Sequence, residues 1–339
     1  FLNQIVVRRL FIGIIAAHFY GYLDLRQFLF AFCGIYFVQA IVLLVYTYAI
    51  DRPGLVPDLS HLREEIGLRS ILRYGAVITF TAINSVSLKY LDSIFVGRIS
   101  VEAVAVYSVA AFIGLMVEIP LTALERVANP AIAHALAVKD MAPIRTIYYR
   151  SARFLLLLGG WMFVMIVLNV RDVLGMLPEG YSDGWLVTIV ISAGALVNMA
   201  TGINHPILVN SDKYIYSSVF LVTLLSLTVL GNWLLIPEMG MLGAAVTACA
   251  ASIIYNGLKF EFIRRHFALQ PFDRDTVLVL MVLAITATIT FLVPLSFHPV
   301  VNVMIRGSVA TTLFGVGVWR SRLAADLHEY LPAAIRKRL

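Results

Sequence analysis

The chain alternates between long apolar segments and short polar breaks along almost its whole length. Most of the apolar segments approach or exceed the roughly 20 residues that a helix needs to cross the hydrocarbon layer of a bilayer. Because backbone polar groups in lipid must be satisfied within the segment, the pattern predicts an all-α polytopic membrane protein. About ten transmembrane helices are predicted, near residues 8–20, 27–49, 74–97, 102–124, 152–170, 185–209, 214–236, 241–262, 275–296 and 299–319.

The composition excludes an ordinary soluble domain. Hydrophobic residues make up 60% of the 339 residues, and the mean hydropathy is +0.88, both far above the range of soluble globular proteins. The sequence contains no phosphate-binding loop of the type GxxxxGK[ST], no HExxH zinc motif, no CxxC pair and no GxSxG motif. The polar breaks on the predicted outer side are also too short for a catalytic domain. We therefore predict a protein that is not an enzyme and that has no cofactor and no metal site.

The net charge of +6 follows the membrane topology, so it does not indicate a nucleic-acid partner. Basic residues concentrate in every second polar break, and the positive-inside rule places these breaks and the carboxyl terminus in the cytoplasm. The opposite side carries Arg26, Arg98 and Arg171 among several acidic residues. The cytoplasmic set is Arg8, Arg9, Arg52, Arg63, Arg69, Arg73, Arg126, Lys139, Arg145, Arg150, Arg153, Lys213, Lys259, Arg264, Arg265, Arg274, Arg320, Arg322, Arg336, Lys337 and Arg338.

The longest polar break, residues 51–73, separates two groups of helices. It contains two prolines and a short amphipathic run, LSHLREEIGLRSILRYG. The break is either a linker between two lobes that move against each other or a loop with an interfacial helix.

The third apolar segment is the richest in polar residues. At 100° per residue, Thr81, Asn84, Ser85, Lys89 and Asp92 fall within an arc of about 140° on one helix face. Two interpretations remain open. Lys89 and Asp92 form a self-neutralising pair that helps insertion, or the stripe forms a cavity wall where Lys89 attracts an anionic headgroup that Asp92 holds or releases.

Three further polar residues lie within predicted membrane segments. Glu118 precedes Pro120 by two residues, where a kinked helix can open to water. Glu118 is either a proton or cation site or a structural partner of Lys89. Asn198 and Asn204 lie in a glycine-containing segment and either line a cavity or bond to neighbouring helices. Asp92 and Glu118 are thus the candidates for ion coupling.

Three sequence runs carry a resemblance to a known family. In chain order they are LDSIFVGRISVEAVAVYSVAAFIGLMVEIPLTALERVANPAIA, GINHPILVNSDKY and LIPEMGMLGAAVTA. The chain resembles the polysaccharide and O-antigen flippases of the multidrug/oligosaccharidyl-lipid/polysaccharide exporter superfamily over roughly residues 1–320. The first run matches the family pattern at Asp92, Gly97, Tyr107, Ser108, Pro120 and Pro130.

The resemblance implies a domain organisation. Members of the family have fourteen helices in two six-helix lobes and a final pair, so this chain is similar to the fifth to fourteenth helices, and we expect the first four to be missing. The implied domains are residues 1–50 as the end of an amino-terminal lobe, 51–73 as a cytoplasmic linker, 74–270 as a carboxyl-terminal lobe, 271–320 as the final pair and 321–339 as a basic cytoplasmic tail.

The resemblance also implies a function. A polyprenyl-pyrophosphate-linked oligosaccharide would cross the bacterial cytoplasmic membrane by alternating access, for surface polysaccharide biosynthesis. Lys89 would meet the pyrophosphate, and Thr81, Asn84 and Ser85 would meet sugar hydroxyls. The implied partners are this anionic lipid, membrane lipids and other membrane proteins of polysaccharide assembly.

Two alternatives stay open. An ion-coupled drug or cation exporter of the same superfamily would use Asp92 and Glu118 as coupling acids, and its lumen would be acidic where that of a flippase is cationic. A membrane scaffold without transport activity would satisfy Lys89 within the helix bundle.

Overall fold

The described residues of the protein are almost entirely helical. The computed structural model describes residues 7–51, 90–293 and 297–321, with the single positions 72, 75, 76, 79, 83, 87, 88 and 323, and these residues contain no strand. The prediction of an all-α polytopic membrane protein is confirmed. Four predicted site residues, Thr81, Asn84, Ser85 and Lys89, lie outside the described residues, as do ten of the 24 residues of the predicted third segment and most of the 51–73 break.

The chain divides into two compact units, Phe1–Leu72 and Arg73–Leu339. The first unit contains a helical hairpin of α1, Arg8–Phe19, and α2, Leu25–Asp51. Gly21 allows the turn between them with a φ of +78°. Aromatic rings join the two helices, and the ring centroids of Phe11 and Phe32 are 4.7 Å apart.

Within the described residues of the second unit, residues 90–96 form the end of a helix. Nine α-helices and two short 3₁₀ segments follow it. The 3₁₀ segments are Met116–Glu118 and Tyr181–Gly184. The α-helices are α3, Val101–Leu115; α4, Ile119–Ala137; α5, Met141–Gly175; α6, Trp185–Ala200; α7, Asn204–Val209; α8, Ile215–Met239; α9, Met241–Phe267; α10, Arg274–Phe291; and α11, Pro299–Arg320.

Eight helical stretches of the described residues are long and apolar enough to cross a membrane. The α1 helix is also apolar, but it has only 12 described residues. Two predicted boundaries were wrong by more than two turns, since α4 continues to Ala137 and α5 already begins at Met141. Both helices carry basic residues at these ends, and a boundary drawn from hydropathy stops where such residues begin.

Two predicted helices are interrupted where proline or glycine alters the backbone. Before Pro120 a 3₁₀ segment interrupts the α-helical pattern: it ends at Glu118, and α4 begins one residue later. Proline lacks an amide hydrogen, so it is accommodated in the first turn of the new helix. The predicted segment 185–209 is divided into α6 and α7 at Gly202, which has a φ of +70°. A β-carbon at Gly202 would lie only 3.2 Å from the backbone nitrogen of Ala152.

The α8 and α9 helices pack closely through small residues. Ala244 and Ala245 are fully buried, and Gly240 forms the turn between the helices with a φ of +59°. Small residues on a helix face let two backbones approach each other closely. At Gly243 a β-carbon would lie 2.6 Å from the carbonyl carbon of Leu235.

Replacing Gly243 with alanine is expected to lower the free energy of unfolding by about 1–3 kcal/mol, because the added methyl group must displace the α8 backbone. Gly257→Ala on the same helix is the matched control, since nothing lies within 4 Å of a β-carbon there. The control should be neutral or stabilising by up to about 1 kcal/mol, because glycine lowers helix stability relative to alanine. Thermal unfolding in detergent measures both, and equal effects would contradict the packing argument.

Ionic contacts hold α10 and α11 against α5. In the first half of α5, Arg153 pairs with Asp275 and Asp273, and Tyr149 donates a hydrogen bond to Asp273. Asp273 also caps α10 by accepting a hydrogen bond from Thr276 N at 2.9 Å. Burial acts to raise the pKa of Asp273, but these hydrogen bonds and the charge of Arg153 outweigh it, so the pKa lies below its usual value. The carboxylate therefore stays charged at neutral pH.

At the other end of α5, Arg306 of α11 pairs with Asp172. Asn302, one turn earlier on α11, donates to the same carboxylate at 3.5 Å. Both side chains of the pair are mostly buried, with exposed fractions of 22% for Arg306 and 19% for Asp172. Arg306, although it follows apolar residues of α11, is therefore held within the protein by a carboxylate.

Candidate functional site

A cavity of about 630 Å³ opens within the second unit, among Leu88, residues 90–93, α3, the following 3₁₀ segment, α6, α8 and α9. Asp92 and Glu118 line it together with Asn198, so the structure brings three of the predicted site residues to one place. Several aliphatic side chains also line the cavity, and its described wall is otherwise made of hydroxyl and amide groups and four aromatic rings. These residues are Ser93, Ser108, Thr228, Ser252 and Asn256, and Tyr90, Tyr107, Phe112 and Tyr255.

Asp92 is held by two hydrogen-bond donors from two other helices. The hydroxyl of Tyr107 on α3 donates to Oδ2 at 2.9 Å, and the amide nitrogen of Asn232 on α8 donates to Oδ1 at 2.7 Å. Both partners are buried, with exposed fractions of 3% for Tyr107 and 0% for Asn232. Both oxygens of the carboxyl group therefore have a hydrogen-bond partner, and the contact ties three helices together.

Glu118 lies in the 3₁₀ segment just before α4 and is half-buried. Its Oε1 accepts a hydrogen bond from the amide nitrogen of Asn198 on α6 at 2.9 Å. The interruption of the helix before Pro120 therefore places a carboxylate on the cavity wall, and α6 supplies the amide that holds it.

Lys259 on α9 is a buried cation close to this cavity. Only 4% of its surface is exposed, and its Nζ lies 4.1 Å from the centroid of the Tyr255 ring, one turn earlier on the helix. The carboxylates of Glu125 and Glu118 lie within electrostatic range of it. A buried ammonium group needs such compensation, since an unpaired charge in a low-dielectric environment is costly.

Sequence reasoning missed Lys259. The charge pattern groups Lys259 with the basic residues of a cytoplasmic connection. In the structure, Lys259 is a buried residue of α9, which continues to Phe267. The available signal was that Lys259 falls inside the apolar segment predicted for residues 241–262. An ionisable residue at membrane depth indicates a partner or a function.

Asn204 lies apart from the cavity lining of the described residues. Its side chain is 1% exposed and donates to the hydroxyl of Thr201 at 3.0 Å, across the break between α6 and α7. This contact stabilises the turn at Gly202.

The polar side chains of the cavity offer hydrogen-bonding groups and two carboxyl groups. The carbonyl oxygen of the Asn256 side chain is buried and has no hydrogen-bond partner among the described residues, so it offers an acceptor. Within the part of the chain that the structure describes, no group of three His, Cys, Asp or Glu residues has the arrangement of a metal site.

Comparison with protein-family models finds no match, and comparison with curated proteins finds none. Two solved structures are similar to the chain. One is a MOP superfamily transporter from Pyrococcus furiosus, for which a reversed polarity of the binding pocket suggests a different function. It is 17% identical, with a TM-score of 0.49, over 66% of this chain and 52% of its own. The other is an outward-facing multidrug resistance MATE family transporter of the MOP superfamily. It is 14% identical, with a TM-score of 0.49, over 76% of this chain and 66% of its own. The chain thus spans about half of the first structure's length.

Proposed function

We propose that the protein is a membrane transporter and that the described cavity forms part of its substrate path. The observation that carries this proposal is a cavity of about 630 Å³ among membrane-spanning helices, with the carboxylates of Asp92 and Glu118 in its wall. Ionisable side chains within the membrane are costly and typically line a water-filled path or bind an ion or substrate. In alternating access, such a site faces each side of the membrane in turn.

We further propose that the substrate is the oligosaccharide headgroup of a polyprenyl-pyrophosphate lipid. The hydroxyl and amide side chains of the cavity can exchange hydrogen bonds with sugar hydroxyls, and aromatic rings such as Tyr107 and Tyr255 offer apolar faces with a polar edge. Lys89, which lies outside the described residues, remains the cation predicted for the pyrophosphate. The lipid tail would stay in the bilayer.

Coupling to a cation gradient supplies the energy in this proposal, with Asp92 and Glu118 as the coupling carboxylates. Both line the cavity, and each accepts hydrogen bonds from neutral donors, Asp92 from Tyr107 and Asn232 and Glu118 from Asn198. No nucleotide-binding motif is present in the sequence that would couple transport to ATP.

One observation favours a second candidate, an exporter of cationic drugs. The charged residues that line the described part of the cavity, Asp92 and Glu118, are both acidic. A lumen of this sign attracts organic cations, whereas a pyrophosphate would need the positive charge of Lys89 to dominate.

A reconstituted transport assay separates the two candidates. In proteoliposomes, the full-length protein is expected to move a pyrophosphate-linked oligosaccharide lipid between leaflets, and Lys89→Ala should slow this movement at least about tenfold, the loss that follows from removing one charged hydrogen bond. Lys213→Ala is the control, because Lys213 is 42% exposed and pairs with its neighbour Asp212. Transport of a fluorescent organic cation in place of the lipid would support the second candidate. Movement of neither would contradict a transport function.

A further inference from the structure

A second cavity lies at the end of the second unit where two turns join membrane-spanning helices. Its volume is about 400 Å³, which is within the range of small-ligand sites, about 300–1,000 Å³. One turn follows residue 96 and leads into α3, and the other lies at Gly240, between α8 and α9. Because α3, α8 and α9 all belong to stretches long enough to cross a membrane, their shared end places this cavity at the level of the lipid headgroups.

Arg98 is the single charged residue in the described lining of this cavity. It is exposed, and its guanidinium group lies 5.0 Å from the ring centroid of Phe95, which also lines the cavity. Within the described part of the chain, no carboxylate lies within ion-pair distance of Arg98. Its hydrogen-bond donors are therefore available to an acceptor from outside the protein.

The contacts of two other arginines show that this situation is particular to Arg98. Arg306 pairs with Asp172, and Arg171 lies 3.8 Å from the ring centroid of Trp185. The nearby carboxyl groups of Asp92 and Asp183 line adjoining cavities and are absent from the described lining of this one. The charge that a ligand meets in the second cavity is thus positive.

The start of α9 adds to this positive potential. Gly240 lines the cavity and is the N-cap of α9, a helix of 27 residues with no side-chain cap and no acidic residue in its first turn. The first amide groups of a helix have no acceptor within the helix, and the partial positive charge there favours an anion. Arg98 and the start of α9 therefore favour the same kind of ligand.

The opposite wall of the cavity is apolar and belongs to a surface that faces outward. Trp233 of α8 lines the cavity and is 64% exposed. Its neighbours Leu230 and Leu234 are 56% and 59% exposed. On a membrane-spanning helix such side chains contact acyl chains, and tryptophan is enriched where the hydrocarbon meets the headgroups. A ligand with a negative headgroup and an apolar tail matches both walls.

We infer that the second cavity binds an anionic phospholipid of the surrounding bilayer. The guanidinium group of Arg98 donates to the phosphate, since its planar fork of donors fits phosphate oxygens. The acyl chains lie against Trp233. This binding site is separate from the central cavity, and the inference does not rest on the proposed transport function.

The fluorescence of Trp233 tests this inference at the site itself. Trp161→Phe, Trp185→Phe and Trp319→Phe leave Trp233 as the sole tryptophan of the chain. The full-length protein is placed in bilayers of phosphatidylcholine, and phosphatidylglycerol with brominated acyl chains, which quench tryptophan at short range, replaces it stepwise. We expect phosphatidylglycerol to bind beside Trp233 about fivefold more tightly than brominated phosphatidylcholine, the ratio that one basic residue near a membrane surface typically gives.

Substitutions of Arg98 separate its charge from the general attraction of the protein for lipid. Arg98→Gln should bring the ratio close to one, and Arg98→Lys should retain most of the preference because the charge is kept. Arg171→Gln is the matched control, since it also removes one exposed arginine but does not touch the cavity. A ratio near one in the parent protein, or a preference that survives in Arg98→Gln, would overturn the site.

Two further measurements need no substitution of Arg98. Raising the salt concentration from 0.05 to 0.5 M should lower the preference severalfold, because salt screens an exposed charge, and a preference that ignores salt would contradict a charge-based site. Soluble glycerol phosphate at millimolar concentration should leave the quenching unchanged. Loss of quenching would show that the cavity binds a free phosphate compound, which would overturn the lipid assignment.

This outcome and that of the transport assay are distinguishable. A lipid preference at Trp233 in a protein that moves no substrate leaves the lipid site in place and removes the proposed function. Transport without any preference at Trp233 does the reverse.

Discussion

Asp92→Asn should abolish the dependence of transport on a cation gradient while the protein remains folded. Asparagine has nearly the same shape as aspartate, and its oxygen can still accept one of the hydrogen bonds from Tyr107 and Asn232. The negative charge is lost, and with it the two charge-assisted hydrogen bonds. Since each such bond contributes about 1.5–3 kcal/mol, we expect gradient-driven transport to fall by at least about tenfold. Proteoliposomes with an imposed pH or sodium gradient measure the effect.

Asp212→Asn is the control for this experiment. Asp212 also loses one negative charge, but its side chain is 80% exposed outside the cavity, so transport should be unchanged. If Asp92→Asn retains the gradient dependence, Asp92 is not a coupling group. The same assay on Glu118→Gln then tests the second carboxylate of the cavity.

Replacing Lys259 with methionine should strongly destabilise the second unit. Methionine matches the length of the side chain, but its loss of charge leaves Glu118 and Glu125 without the buried cation that compensates them. Removal of one partner from a buried ionic group typically costs about 3–5 kcal/mol. Thermal unfolding of the purified protein in detergent should therefore show a clear fall in the midpoint temperature.

A second substitution separates charge from packing. Adding Glu125→Gln to Lys259→Met removes one of the stranded negative charges and should recover part of the lost stability. Lys213→Met on the surface should change the free energy of unfolding by no more than about 0.5 kcal/mol. A loss below about 1 kcal/mol in Lys259→Met, or no recovery in the double variant, would mean that water already screens the three charges.

The sequence was sufficient for the helical class and for several local features. Long apolar runs allow only helices in a bilayer, so the spans could be placed, although α4 and α5 extend beyond the predicted boundaries. The break before Pro120 and the close approach at Gly243 were predictable because proline and glycine constrain the backbone locally. Asp92, Glu118 and Asn198 were recognised because polar residues are rare in such segments.

The partners of these residues were not predictable. Tyr107 and Asn232 lie 15 and 140 residues from Asp92 along the chain, and Asn198 lies 80 residues from Glu118. A periodic pattern shows which face of a helix is polar, but it does not show which other helix that face meets. The burial of Lys259 was not predictable for the same reason, since it depends on how other helices pack against α9.

The sequence by itself therefore determined that this is a helical membrane protein with a few costly polar groups at membrane depth, because hydropathy and backbone hydrogen bonding act within single segments. Only the tertiary structure decided that Asp92, Glu118 and Asn198 share one cavity while Asn204 supports a turn, and that Asn232 donates a hydrogen bond to Asp92. Those assignments depend on how helices distant in the chain pack together.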